Sequence, residues 1–341
     1  MRARHVLATL ALPVLLPGLL TGCTSSPEVT PAPEPSPSAA PLLALPAEPP
    51  ATEARQALSL VPLTAQVVTI TDFDALRQSV GFPDLTSEDP MADRRAFWEA
   101  ARQTSVLLTD GLLREDNSLF MLDYEFTQDD VDYEVRFTGP EGSGFVLGFR
   151  PDLDMKRVRR AVEDGAGGLG DAEVLGAQQL VVSGTVEDGE ESWAEDPQIL
   201  DLTHHIEHST YLHRGCVPFN EALGPDAGVE DQQQVLAAYD IPNQLRPVEV
   251  FSVSFNGVVA TGRLGLGRTD LVARTDLTED WPRTGRPAFT DAFTGMPLFD
   301  ATTGRVGLQV KDPVAAAAVT LTNLLPFAVC NEVDPLDEPT G

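Results

Sequence analysis

The sequence is poor in cysteine, in lysine and in positive charge as a whole. Its 341 residues include 3 Cys, and 52 Asp and Glu stand against 23 Lys and Arg, which gives a formal net charge of -29. The only lysines are Lys156 and Lys311. A polyanion repels phosphates and has few cations to neutralise them. The composition therefore argues against a nucleic-acid-binding protein.

Long apolar runs are also missing after the N-terminal region. No later stretch reaches the roughly 20 apolar residues that a membrane-spanning helix needs. With 42% hydrophobic residues the chain can still bury a core, so it is not wholly disordered. Its length allows one large domain or two ordinary ones, because a domain has roughly 100–200 residues.

Residues 1–22 have the pattern of a secretory signal peptide. Arg2 and Arg4 precede the uncharged run VLATLALPVLLPGLL, and Leu-Thr-Gly-Cys23 follows directly. This ending resembles the lipobox of bacterial lipoproteins, whose Cys thiol receives diacylglycerol and becomes the new, usually acylated, N-terminus. The resemblance implies a lipidated Cys23 on the extracytoplasmic face of the cell membrane. Two or three acyl chains would anchor the chain stably.

Segment 23–53 is predicted to be a tether. Residues 24–50 hold 9 Pro in 27, and proline lacks the amide donor and fixes φ, so we expect a polyproline-II-like spacer there. Arg greatly outnumbers Lys, and Ala, Gly, Pro and Val are abundant. Together with the lipobox, this composition resembles that of actinobacterial lipoproteins.

The remaining chain predicts an α+β fold of two related modules. GFVLGFRPDLDM (144–155) and GRVGLQVKDPVA (304–315) share the order Gly, apolar strand, Asp, helix. We expect α/β sandwiches of ferredoxin-like type at 54–186 and 197–335, with antiparallel or mixed sheets. The acidic stretch 187–196 would link the modules, and 336–341 would be a disordered tail.

Individual elements follow from local patterns. The aromatic and apolar run at 119–126 predicts a strand, as does 326–333 near the end of the chain. Asp196-Pro197 predicts the start of a helix that continues to about residue 213. The acids of FTQDDVDYE (126–134) are interpreted as a helix cap and a solvated turn, with a carboxylate pair as the alternative.

Histidine is concentrated in one place. Four of the five histidines are His204, His205, His208 and His213, with Glu207 among them. His204-x-x-Glu207-His208 matches the motif of the inverzincin zinc peptidases, in which two His ligands hold zinc and the Glu is the general base. On the predicted helix this pair points away from the buried stripe. We therefore favour an exposed polar face, without a catalytic residue or a cofactor, and keep zinc as the alternative.

Cys216 and Cys330 are the thiols that remain once Cys23 is lipidated. Export places both in an oxidising compartment, where paired cysteines form disulfides. We predict a Cys216–Cys330 bridge that joins the first helix of the second module to its last strand.

Two functions are open at this point. The first is a non-enzymatic lipoprotein that binds a small ligand or an envelope protein, in a cleft between the modules. The second is a zinc-dependent hydrolase in which Glu207 is catalytic and His204 and His208 hold the metal. A purely structural envelope protein is a third possibility. The nucleophile elbow, the Walker loop and C-x-x-C are all absent from the sequence.

Overall fold

The computed structural model of the chain describes residues 52–187, 189–203 and 207–336. The predicted signal peptide, the lipidation site Cys23 and nearly all of the tether lie outside these residues. So do His204, His205 and most of the predicted tail.

Ten strands form one sheet in which every ladder is antiparallel. The strand order is β4-β5-β3-β2-β1-β6-β7-β8-β10-β9. The strands are β1 Val67–Asp72, β2 Val131–Gly139, β3 Gly142–Phe149, β4 Glu173–Leu175, β5 Leu180–Ser183, β6 Ser209–Arg214, β7 Val250–Phe255, β8 Val259–Arg263, β9 Phe293–Asp300 and β10 Arg305–Val310.

The strand order is mirrored about its centre. From β1 outward the sheet continues with β2, β3, β5 and β4, and from β6 outward with β7, β8, β10 and β9. The α+β class is confirmed, and the β1–β6 ladder joins both halves into one sheet. The ferredoxin-like type is not specifically confirmed, because each described half is largely a sequential antiparallel meander. A βαβ crossover would require parallel neighbours.

The pattern shared by 144–155 and 304–315 is present in both places. Asp154 caps the helix after β3, and Asp312 caps the helix after β10, each accepting backbone N–H groups of the first turn. The two strands nevertheless differ in position, since β8 and not β10 mirrors β3. The shared pattern therefore reflects helix-capping chemistry more than equivalent places in the sheet.

Helices cover both faces of the sheet. They are α1 Glu53–Gln56, α2 Phe73–Ser79, α3 Met91–Thr104, α4 Asn117–Tyr124, α5 Met155–Glu163, α6 Pro197–Leu202, α7 Phe219–Leu223, α8 Val229–Ala238, α9 Ile241–Gln244, α10 Leu271–Glu279, α11 Phe289–Ala292 and α12 Pro313–Leu321. On one face, α2–α5 pack over the first half and α7–α12 over the second. On the other face, α1, α6 and Trp193 close a third apolar core over the first half.

The two helical layers on the shared face meet at α3 and α12. The chain that leaves α3 crosses into the second layer, where Val106 and Leu108 are buried in the core of the second half. The C-terminal end of α3 therefore lies at the junction between the halves.

Three predicted elements are wrong. Residues 119–126 belong largely to helix α4, in which Phe120 and Tyr124 are buried one turn apart. The helix from Asp196 ends at Leu202, and the later residues form β6, a central strand buried on both faces. Pro326–Ala328 is a single 3₁₀ turn in place of a strand.

The predicted disulfide is confirmed. Cys216 and Cys330 are bonded, 114 residues apart in sequence. Next to the bridge, the Val217 N–H donates to the Ala328 carbonyl (3.0 Å) and the Cys330 N–H donates to the Val217 carbonyl (2.9 Å). The bridge thus joins the segment after β6 to the C-terminal segment after the 3₁₀ turn.

Asp72 is a half-buried carboxylate at the end of β1. Its side chain caps α2 by accepting the Ala75 N–H at 2.8 Å. Burial raises the pKa of Asp72 to about 6, and the charges of Asp74 and Asp132 contribute in the same direction. The folded pKa thus exceeds the unfolded value of about 3.9. Between these values the folded chain holds the extra proton, so its stability falls as pH rises through this window.

Asp72→Asn should therefore stabilise the fold at neutral pH. The amide oxygen keeps the cap while the buried charge is removed. We expect a gain of about 1–3 kcal/mol in the free energy of unfolding at pH 7, vanishing near pH 4. Urea unfolding at both pH values measures it. Asp84→Asn, at an exposed position in the loop between α2 and α3, is the control. A gain at pH 4 equal to that at pH 7 would contradict the prediction.

Candidate functional site

Of the predicted zinc motif, the structure describes Glu207 and His208, and neither of them lies on a helix. Glu207 and His208 directly precede β6, and the His208 carbonyl accepts the Asp72 N–H at 2.9 Å. The expected helical i, i+4 geometry is wrong, because α6 has ended at Leu202. His204 lies outside the described residues.

Glu207 and His208 are both partly buried. Burial raises the pKa of Glu207, which the nearby charge of Arg263 lowers in part, and burial lowers the pKa of His208. Among the described residues, Glu207 Oε2 and His208 Nδ1 have no hydrogen-bond partner. Within the described ranges, no group of three or more His, Cys, Asp or Glu could hold a metal ion. The zinc alternative stays a prediction, since His204 cannot be placed.

A different site is built around α3. One side of this helix lines a cavity of about 460 Å³. Met91, Arg94, Arg95, Trp98, Glu99, Arg102 and Gln103 come from α3, while Arg114, Asn117 and Asp129 come from the following segments. Four of the 23 Lys and Arg of this acidic chain therefore line one cavity, which we call the arginine pocket.

Helical spacing explains why α3 presents these side chains together. Arg94, Trp98 and Arg102 are four residues apart, so they lie above one another on one face. Phe97 and Ala101, which follow the same spacing, are buried in the first-half core. The core contacts fix the rotation of α3 and thereby direct the arginines into the pocket.

The floor of the pocket is a neutralised ion pair. Arg94 forms a salt bridge with Asp129, and its guanidinium also donates to Thr127 Oγ1 at 2.9 Å. Trp98 Nε1 donates to the other carboxylate oxygen of Asp129 at 2.8 Å. Asp129 is 2% exposed. The interpretation of this acidic run as a solvated turn is therefore wrong. Asp129 is a buried acceptor that orients Arg94 and Trp98.

Arg95, Arg102 and Arg114 form the rim of the pocket, and acidic side chains balance their positive charge only in part. Arg102 and Arg114 approach the same carboxylate oxygen of Asp110, at 3.1 Å and 3.4 Å. The Arg114 guanidinium stacks 4.0 Å from the centre of the Trp98 ring. Burial lowers the pKa of Arg114, and the charge of Arg102 lowers it further. The proximity of these two cations disfavours the empty site, and a bound anion would relieve it.

Arg95 is the third cation at the rim. Its side chain is exposed, and the described residues provide it with no ion-pair or hydrogen-bond partner. Glu99, which receives a weak hydrogen bond from Gln103, is the other acid of the lining. Arginine presents five donors in a planar fork that matches carboxylate and phosphate groups. The pocket therefore has the donor set of an anion-binding site.

The other ionisable side chains of the lining are two carboxylates. Asp129 is engaged by Arg94 and Trp98, and Glu99 accepts a weak hydrogen bond from Gln103. Arginine does not release its proton in proteins. The arrangement suits holding and orienting an anion.

Sequence reasoning missed this pocket. Three of its arginines, Arg94, Arg95 and Arg102, do lie close together in the sequence, which is a weak signal in an acidic chain. Arg114 and Asp129, however, reach the pocket through tertiary packing alone.

In the part of the chain that the structure describes, no helix combines the length and apolar character needed to cross a bilayer. No protein-family model, curated protein or solved structure matches the chain.

Proposed function

We propose that this chain is a lipid-anchored, extracytoplasmic envelope protein that binds an anionic ligand in the arginine pocket and is not an enzyme. The observation that carries the proposal is the gathering of four arginines in one cavity of a chain with a net charge of -29. A protein so acidic repels anions over most of its surface. A local group of guanidinium groups is therefore best explained as a binding site.

The physical basis of binding is the shortage of acceptors at the rim. Arg102 and Arg114 share one oxygen of Asp110, and Arg95 has no described partner. A carboxylate or phosphate would accept charge-assisted hydrogen bonds, each worth about 1.5–3 kcal/mol. The stacked Trp98 holds Arg114 in place, so less conformational entropy is lost on binding.

Substitutions at the rim should change anion affinity in opposite directions. We expect Arg102→Gln with Arg114→Gln to weaken the binding of inorganic phosphate and butanoate by roughly tenfold or more, because two charged donors are lost. Asp110→Asn should strengthen binding several-fold, since both guanidinium groups lose their competing carboxylate. Titration calorimetry of the chain with Cys23→Ser, which avoids lipid, provides the measurement.

Arg283→Gln is the matched control for these variants. Arg283 is an exposed arginine that pairs with Asp291 on the second half of the molecule, so its loss removes one charge without touching the pocket. Equal weakening in the control would show a general charge effect. Unchanged affinity in the double pocket variant, or weaker binding by Asp110→Asn, would overturn the assignment of the site.

The membrane location is supported by the lipobox residues and is tested separately. The parent chain, produced in a bacterium that lipidates its lipoproteins, should enter the membrane fraction and partition into detergent. Cys23→Ser should leave it in the soluble exported fraction, because the thiol that carries diacylglycerol is gone. Retention of the variant in the membrane would contradict a lipid anchor at Cys23.

A further inference from the structure

A second cavity adjoins the arginine pocket at the junction of the two halves. It measures about 310 Å³ and lies between the segment after α3 and helix α12. Arg102 lines both cavities. Asp110, which pairs with Arg102, also lines the second one. The two cavities thus share the side chain of Arg102 at the cationic rim.

The lining of the second cavity is largely aliphatic. Leu107 and Leu108 contribute from the segment after α3, and Pro313, Val314 and Ala317 from the start of α12. Val314 is 69% exposed despite its apolar side chain. We call this space the aliphatic cleft. Its apolar surface begins beside Arg102 and is partly exposed to solvent.

We propose that the ligand is a single-chain anionic amphiphile, with its carboxylate or phosphate head on Arg102 and Arg114 and its alkyl chain in the aliphatic cleft. This inference rests on the proposed function, since it places the head group in the same arginine pocket. It adds the chemical class of the ligand. The charge of the rim matches the head, and the aliphatic lining matches the tail.

The dimensions fit a chain of modest length. Ligand cavities occupy roughly 300–1,000 Å³, and the cleft lies at the lower end of that range. A short or medium alkyl chain would cover Val314 and Ala317 and gain hydrophobic free energy for each methylene removed from water. The polar junction at Arg102 and Asp110 fixes where the head ends and the tail begins.

The test compares anions that share a head group and differ in chain length. With the Cys23→Ser chain, titrations of butanoate, octanoate and dodecanoate, all below their micelle concentrations, should show Kd falling about fourfold per buried methylene until the cleft is full. Dodecyl phosphate should bind as an amphiphile too. Dodecyl maltoside, which has the chain without the charge, should not compete.

Val314→Asp isolates the cleft from the pocket. A carboxylate there should weaken dodecanoate binding by more than tenfold, and by much more than it weakens the binding of phosphate and butanoate, which place no long tail in the cleft. Val314→Gln, which adds no charge, should also weaken dodecanoate binding and so make Kd depend less on chain length. Agreement between the two variants would show that the effect does not come from misfolding of one of them. Val272→Asp, at an exposed position on α10, is the control and should leave dodecanoate binding unchanged.

The outcomes separate this inference from the proposed function. If butanoate and phosphate bind through Arg102 and Arg114 but Kd does not change with alkyl chain length, an amphiphilic ligand is excluded. The assignment of the anion-binding site would not be affected. If dodecanoate binds equally well to the Val314→Asp and parent chains, the cleft is not its binding place. If no anion binds at all, both proposals fail.

Discussion

Replacing Cys216 and Cys330 by serine should lower the free energy of unfolding by roughly 4–5 kcal/mol, the value that the chain-entropy model gives for a loop of this length. The two cysteines are 114 residues apart. The loop that they close contains β7, β8, β9 and β10 and most of the second-half core. In the unfolded chain this loop is expensive to constrain, so the bridge destabilises the unfolded state.

The structure also shows which contacts must replace the bridge. The segment after the 3₁₀ turn would be held by the two hydrogen bonds between Val217 and the 328–330 segment and by the packing of Phe327. These contacts lie at the end of the chain, where local opening is easiest. We therefore expect hydrogen exchange at Ala328 and Cys330 to rise more than elsewhere.

Urea unfolding of the double serine variant and of the reduced parent chain provides the measurement. The two should agree, because both lack the covalent link and keep the remaining core. A loss below about 1 kcal/mol in both would mean that the unfolded state is already compact, against the chain-entropy account.

Arg274→Leu should be nearly as damaging, at about 3–5 kcal/mol, because it breaks a buried ion pair on one side. Arg274 is fully buried in α10, and its Nε donates to Asp270 at 2.8 Å. Its other nitrogens donate to the carbonyls of Phe327, Val329 and Arg246 at 2.7–2.9 Å. The leucine would leave three carbonyls without this donor and one carboxylate without its second cation.

The titration of this cluster gives the prediction a pH signature. Burial lowers the pKa of Arg274 to about 10, and the guanidinium stays charged at neutral pH. Burial alone would raise the pKa of Asp270, but hydrogen bonds from Arg268 and the Arg246 amide, with the charge of Arg274, lower it to about 2. A carboxylate whose pKa is lower in the folded than in the unfolded chain stabilises the fold at pH values above its unfolded pKa. That contribution is lost as pH falls from about 4 to 2.

The parent chain should therefore lose more stability than Arg274→Leu between pH 4 and pH 2. Arg283→Leu, at an exposed arginine paired with Asp291, should change stability by less than about 0.5 kcal/mol. Chemical unfolding across this range measures both effects. Equal acid sensitivity of the parent and the Arg274 variant would show that the ion pair does not depress the pKa of Asp270.

Local signals in the sequence predicted the features that depend on few residues. Asp154 and Asp312 cap helices because a short carboxylate before an apolar run satisfies free backbone N–H groups. The disulfide followed from counting thiols in a chain that the sequence predicts to be exported. Asn256-Gly257 is a strong hairpin signal, and the strands that flank it, β7 and β8, are paired.

Features that depend on the sheet as a whole were not predictable. Residues 209–214 were assigned to a helix because Asp196-Pro197 starts one, and nothing local marks its end at Leu202. Residues 209–214 form a strand because they lie at the centre of the sheet. There β6 pairs with a strand on each side and is covered on both faces. In α4, aromatic residues favoured a strand, although Phe120 and Tyr124 have helical spacing.

The arginine pocket could not be predicted from local sequence for the same reason. The α3 sequence contains Arg94, Arg95 and Arg102, yet their spacing alone suggests a solvated basic helix face. Only packing brings Arg114 over the Trp98 ring and buries Asp129 against Arg94. The anion-binding character arises from this convergence, which no single segment encodes.

The mirrored strand order affects how the newly made chain folds. Each half begins with its innermost strand, and its next two strands are added outward from it. While the first half forms, one edge of β1 has no partner until β6 has emerged, and an open strand edge can pair with other chains. A polypeptide interrupted before residue 209 would keep that edge exposed. Newly made chains are therefore most prone to aggregation after the first half is complete and before Ser209–Arg214 covers its inner edge.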